Sequence, residues 1–283
     1  MLTIDEFHET VLSGHYASPA DHLPARPLKK GVRSWWRFYA SGLARVVAKG
    51  ICVVWKGNVT LKLVSELAYD MTRAVEVTGA TVSFDGFDAL RKLKGKPFVV
   101  VANHMSLIET MLLPAGVFAA NDMTVVAKRS LTKYPGFGKI LASCNPILLD
   151  RKNARKDLAD TLEQGTALLK QGVSILLFPQ GHRAEVFDPR KFNSLGAKLA
   201  ARAGVPLVPV ACKTDFARPG WPLKDFGPVD PSRPVRFACG QALDPTLPQR
   251  DLQKACIEHI SAKLVEWRMG VVKEQEENNV EGN

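Results

Sequence analysis

Between Lys96 and Gly240 the chain alternates short apolar runs with longer stretches in which apolar residues recur every three or four positions. The runs are KPFVVVA (Lys96–Ala102), MTVVAKR (Met123–Arg129), NPILLDR (Asn145–Arg151), VSILLFP (Val173–Pro179), VPLVPVAC (Val205–Cys212) and VRFACG (Val235–Gly240). Apolar runs this short predict strands covered on both faces. VEVTGATVSFDGF (Val75–Phe87) instead alternates apolar with polar positions and is punctuated by Gly79 and Gly86, a further strand pattern. Helices are predicted from about Ser106 to Ala120, over 153–171, from Ser194 to a stop at Gly204, and over most of Pro245–Met269. In the second of these Leu158, Leu162, Leu168 and Leu169 fall on or near one face. Tyr134–Cys144 reads as a turn leading into a short helix. Strands alternating with helices predict an α/β fold with a mostly parallel central sheet flanked by helices.

The first seventy residues follow another pattern. Residues 1–30, with Pro19, Pro24 and Pro27, read as a loosely organised lead-in. Residues 31–76 read as helical. There Arg33, Arg37, Arg45, Lys49 and Lys56 alternate with Trp35, Trp36, Phe38, Tyr39, Val46, Val47, Ile51 and Trp55. Cations beside aromatics on an apolar helix suit a membrane interface; the alternative is an amphipathic helix packed on its own domain. Charges interrupt every long apolar stretch, so a clean transmembrane helix is not indicated. The expected organisation is an amphipathic, membrane-associating helical segment over 1–74, an α/β domain over 75–270, and a disordered polar tail over 271–283.

Composition narrows the class. With 46% apolar residues the 283-residue chain can bury a large core, and a net charge of +10 favours an anionic partner. Nucleic acid, an anionic membrane and a phosphorylated substrate all qualify. Nucleic acid is disfavoured, because the basic residues are dispersed and no recognition motif is present. Five cysteines, odd in number and without a CxxC pair, read as reduced, buried thiols of a cytoplasmic protein. The start, MLTIDEFHET, lacks the apolar core of a secretion signal.

Four stretches carry candidate chemistry. In NHMSLIE, His104 falls just past the end of an apolar strand, where open α/β sheets bind ligands. It can act as a general base, with Glu109 orienting its ring. Ser106 to Glu109 also fits a capping box, and one carboxylate is not expected to serve both roles. In FPQGHR (Phe178–Arg183), Gly181 permits a tight turn with exposed N–H groups, and Arg183 offers a planar fork suited to phosphate. An ordinary loop is the bland reading. Asp150 and Arg151 follow another strand, either as an exposed ion pair or with Arg151 reaching the anion bound by Arg183. VPLVPV is a rigid strand beside the site. There is no Gly-x-Ser-x-Gly elbow and no P-loop, and the histidine spacing matches no zinc helix.

In order and spacing, NHMSLIE, ILLDR, FPQGHR and VPLVPV together resemble the four blocks of the lysophosphatidate (1-acylglycerol-3-phosphate) acyltransferase family. The connector VVAKRSLTKYPGFGKIL is similar too, and the resemblance covers about residues 75–245. It implies transfer of a fatty acyl group from acyl-CoA or acyl-carrier protein to a lysophospholipid hydroxyl, with no bound cofactor. His104 would be the general base and Glu109 its orienting carboxylate. Arg151 and Arg183 would bind the acceptor phosphate, with Gln180, Gly181 and His182 in the same binding block. It also implies association with the cytoplasmic face of an anionic membrane. Three positions depart from the family pattern: Glu109 stands where Asp is usual, Gln180 where Glu is, and His182 where Thr is. The last two bear on which acceptor is bound. A non-catalytic anionic-lipid binder on the same fold, or an acyltransferase for a different lipid acceptor, is the alternative.

Overall fold

The computed structural model describes residues 2–57, 60–134, 137–220 and 225–272. Eight strands form one sheet: β1 (His15–Ala17), β2 (Val82–Asp85), β3 (Val99–Ala102), β4 (Met123–Lys128), β5 (Ile147–Leu149), β6 (Ser174–Leu177), β7 (Leu207–Lys213) and β8 (Val235–Cys239). Their order is β1-β2-β8-β7-β3-β6-β4-β5. The β1–β2 and β7–β8 pairs are antiparallel and the other pairs parallel, so the sheet is mostly parallel as expected.

The apolar runs became the central strands because both their faces are covered. Val100 lies level with Leu176 on one side and Val208 on the other, and all four β3 residues are buried. Alternate residues feed two cores. Val100, Ala102, Leu176 and Val208 face the helices Val32–Trp55, Leu61–Glu76 and Ile108–Phe118. Val99, Val101, Ile175 and Leu207 face Ala154–Lys170, Leu195–Ala203 and Gln249–Glu266. Local chemistry sets the helix ends. Asn153 accepts from the N–H groups of Arg155 and Lys156, and Gly204 closes Leu195–Ala203 at a left-handed φ of 68°.

The first thirty residues are not a loose lead-in. Thr3 and Glu6 form a capping box on the helix Ile4–Leu12, and Phe7, Val11, Leu12 and Tyr16 enter the core. β1 then pairs with β2 at the sheet's edge. A fully buried Glu76 fastens this segment, accepting from Tyr16 Oη at 2.7 Å, Ser18 Oγ at 2.7 Å and His22 Nδ1 at 3.1 Å, with Arg73 alongside. At the other end Val272 N donates to Phe187 O, so the expected tail is tied down at its start; residues 273–283 lie outside the described residues. All five cysteines are free, and Cys52 is exposed rather than buried as expected.

Val32–Trp55 is a continuous 24-residue helix, wide-turned over Trp36–Leu43, and by length and composition it could cross a membrane. Just 28% of its most apolar window is buried, and Val32, Trp36 and Trp55 are exposed. It approaches Leu61–Glu76 closely: a Cβ on Gly42 would stand 2.8 Å from that of Ala74.

Candidate active site

β3 ends at Ala102, and the next side chain extends its pairing. Asn103 Nδ2 donates to Cys212 O at 2.8 Å and Asn103 Oδ1 accepts from Cys212 N at 2.7 Å, a side-chain amide imitating one more rung between β3 and β7. His104 follows at the sheet's carboxyl edge. Its ring stacks on Phe178, with centroids 4.6 Å apart and planes at 25°. Its backbone is bracketed by the loop after β6: His104 N donates to Gln180 Oε1 at 2.6 Å, and Ala184 N donates to His104 O at 2.9 Å.

Glu109 makes the contacts of both readings between which the sequence left a choice. Its Oε1 accepts from His104 Nδ1 at 2.7 Å, from Met105 N at 2.7 Å and from Ser106 N at 2.8 Å. Its Oε2 faces the hydroxyls of Thr214 at 2.5 Å and Ser106 at 3.0 Å. The expectation that one carboxylate could not cap and orient together is therefore overturned; two oxygens with about four lone-pair directions suffice. The helix itself starts at Ile108, whose N–H donates to Ser106 Oγ at 3.0 Å.

Glu109 is wholly buried, and burial alone would push its pKa up. The hydrogen bond and charge of His104, joined by the Thr214 hydroxyl, outweigh that and hold the carboxyl below its ordinary range. An ionised carboxylate only accepts, so Nδ1 carries a proton, and in the neutral ring Nε2 presents the lone pair. Nε2 has no protein partner among the described residues. The His104 side chain is 15% exposed and that of Glu109 is 0% exposed, so the pair opens to solvent through the ring.

The other candidates are spread along the same edge. Gly181 adopts a φ of +72°, as a tight turn requires, but its N–H donates to Phe178 O at 3.1 Å and is not the free donor expected there. His182 is exposed. The Arg183 guanidinium, partly exposed, lies 2.5 Å from Asp225 Oδ1. Arg151, exposed and left-handed at a φ of +57°, follows β5. Asp150 pairs with Arg129 at 2.6 Å rather than with Arg151. Since β6 and β4 separate β3 from β5, Arg151 starts about 14 Å from the β3 axis, three strand spacings away. The fold thus gathers His104, Glu109, Gln180 and Gly181 and leaves Arg151 at the margin. Among the described residues, no three His, Cys, Asp or Glu side chains converge as a metal site.

Thr214, Phe178, Asn103 and Asp225 belong to the site's surroundings and were not anticipated. A signal for Thr214 existed, since it directly follows an apolar strand, as His104 nearly does. Beside the helix that carries Glu109 lies an apolar cavity of about 110 Å³, open at its mouth. Val47, Met71, Met111, Pro114, Val125 and Ile140 line it, and Thr110 and Met111 directly follow Glu109.

Residues 81–213 match the family model described as Acyltransferase. The chain is 36% identical over 134 residues to the 1-acyl-sn-glycerol-3-phosphate acyltransferase of Pseudomonas aeruginosa, covering 47% of this chain and 51% of that one. It is 28% identical over 173 residues to the enzyme of the same name from Saccharomyces cerevisiae, covering 60% of this chain and 54% of the yeast protein. The chain spans about half the length of these curated relatives. The crystal structure of the 1-acyl-sn-glycerophosphate acyltransferase PlsC from Thermotoga maritima shares the fold. Its TM-score is 0.63 at 20% identity, covering 86% of this chain and 97% of that one. Residues 81–213, a little under half of the chain, are thus similar to the acyltransferase family model, and the chain to curated 1-acyl-sn-glycerol-3-phosphate acyltransferases.

Proposed function

We propose that the protein transfers a fatty acyl group from a thioester donor, acyl-CoA or acyl-carrier protein, to the free hydroxyl of 1-acylglycerol-3-phosphate, giving phosphatidate. The observation that carries this reading is the His104–Glu109 pair, an ionised, fully buried carboxylate on Nδ1 with Nε2 left open. The acceptor hydroxyl gives its proton to Nε2 as its oxygen attacks the thioester carbonyl. The tetrahedral intermediate collapses, the C–S bond breaks, and the imidazolium returns the proton to the departing thiolate. Glu109 stays ionised throughout and stabilises the imidazolium, as in other histidine–carboxylate pairs.

Arg183 is the acceptor-phosphate ligand nearest the base, since its loop brackets the His104 backbone. Arg151 contributes from the margin, and Gly181 and His182 shape the turn. Gln180 positions His104 through its backbone N–H. The apolar cavity beside Thr110 and Met111 suits an acyl chain. The exposed Val32, Trp36 and Trp55, with the basic surface, favour residence on the cytoplasmic face of an anionic membrane.

The test is transfer of labelled acyl groups from both donors to a panel of lyso-lipids, with wild type and His104→Ala side by side in liposomes. Wild type is expected to transfer to 1-acylglycerol-3-phosphate, and the variant to lose about 10²–10⁴-fold. Folded, liposome-bound wild type that transfers to no acceptor refutes the proposal.

A further inference from the structure

We propose that Asp225 is an internal counterion that occupies Arg183 until the phosphate of the acceptor displaces it. The proposal rests on the reading of Arg183 as a phosphate ligand. Arg183 lies in the loop after β6, and Asp225 lies between β7 and β8. Their charged atoms are 2.5 Å apart, and the side chains are about a quarter exposed.

The contact is poorly made for a structural ion pair. Its angle is too bent for a hydrogen bond, and the shielded Asp225 Oδ1 has no hydrogen-bond donor among the described residues. The chain makes better pairs elsewhere. Arg190 grips Asp188 through two hydrogen bonds of 2.9 and 3.0 Å, the two-point geometry that gives such pairs their strength. Among the described residues the Arg183 guanidinium makes no hydrogen bond, and its side chain is 26% exposed, within reach of a ligand with several oxygens. A phosphate monoester carries about −1.5 to −2 at pH 7 and three acceptor oxygens, against one charge on a carboxylate. It therefore outcompetes Asp225, whereas a weaker anion does not.

The two partners are mounted on different parts of the fold. The residue after Arg183 donates to His104 O at 2.9 Å, which ties the arginine to the base. The residue after Asp225 accepts from Trp35 Nε1 at 3.1 Å, and its Phe226 ring lies 5.3 Å from Tyr39. Ser34 Oγ donates to Val229 O at 3.1 Å. The counterion is thus carried against the N-terminal apolar helix, and displacement can occur without disturbing the loop that holds His104.

The experiment measures KM for 1-acylglycerol-3-phosphate and competitive inhibition by inorganic phosphate, using full-length protein in liposomes. The variants are Asp225→Asn, Asp225→Ser, Arg183→Gln and the Arg183→Gln/Asp225→Asn double. Either Asp225 variant is expected to lower KM by about two- to fivefold, to strengthen phosphate inhibition by a similar factor, and to change kcat less than about twofold. Arg183→Gln raises KM, and adding Asp225→Asn to it changes nothing further. If folded Asp225 variants leave KM unchanged or raise it while Arg183→Gln still raises it, the counterion proposal falls and the phosphate role of Arg183 stands. If Arg183→Gln leaves KM unchanged, both fall.

Discussion

Replacing Glu109 with Gln separates the two duties of that carboxylate. The amide oxygen can stay on the side of His104 Nδ1, Met105 N and Ser106 N, all donors at 2.7–2.8 Å. The amide NH2 then faces the Thr214 and Ser106 hydroxyls, which can rotate to accept. Shape and capping survive and the negative charge is lost. A unit charge about 4 Å from the imidazolium is worth about 4 kcal/mol at an effective dielectric of 20, which sets the ceiling. Each factor of ten in rate is about 1.36 kcal/mol, so kcat should fall by about 10²–10³-fold with KM little changed. The assay is acyl transfer at saturating donor, read beside thermal melting to show that the variant is folded. Full activity in a folded Glu109→Gln protein would refute the electrostatic role of the carboxylate and leave it only the hydrogen bonds that hold the ring and cap the turn. The same change alters acid stability. The folded-state pKa of Glu109 is lowered below its ordinary 4.5, so its stabilisation is present above the unfolded value and is lost as pH falls through the folded value. Wild type should therefore lose melting temperature below about pH 4.5, and Glu109→Gln should lose less over that window.

Two further outcomes test the neighbouring elements. Thr214→Val leaves Oε2 with the Ser106 hydroxyl alone, and should cost about 1–3 kcal/mol of stability and reduce kcat more than KM, as measured by melting and transfer kinetics. Trp36→Glu combined with Trp55→Glu places charge on the exposed face of the apolar helix; liposome co-sedimentation should fall while the melting temperature in detergent stays near that of wild type.

The legible parts of the fold were those whose signal is local. VVVA, SILL and LVPVACK announce buried strands because nothing polar interrupts them, and His104 was readable because it ends one of them. Thr214 also follows such a run, but its meeting with Glu109, 105 residues away, depends on β7 lying beside β3, which no local signal carries. Strand order also sets Arg151 apart from Arg183, with which motif spacing grouped it, by placing it after the sheet's edge strand. The N-terminal helix and β1 are nine and three residues long, too short for periodicity to outweigh the prolines that follow. Glu109 was misjudged for a different reason: the two readings were treated as rivals for one group, when its two oxygens could be shared out among them.

The pairing of β1 with β2 fixes a topological limit on the apolar helix. The chain leaves the sheet at Ala17 and returns at Val82, antiparallel neighbours on one side of any bilayer the domain sits against. An excursion that starts and ends on the same side crosses a membrane an even number of times. Among the described residues, Val32–Trp55 alone has the length and apolarity to cross, and the returning helix Leu61–Glu76 is charged and packs Leu67, Ala68 and Met71 into the core. The described residues of this excursion therefore supply no pair of crossing helices. The helix is part of a closed excursion from the sheet, and it cannot be cut away as a tether can without unpicking the edge of the sheet.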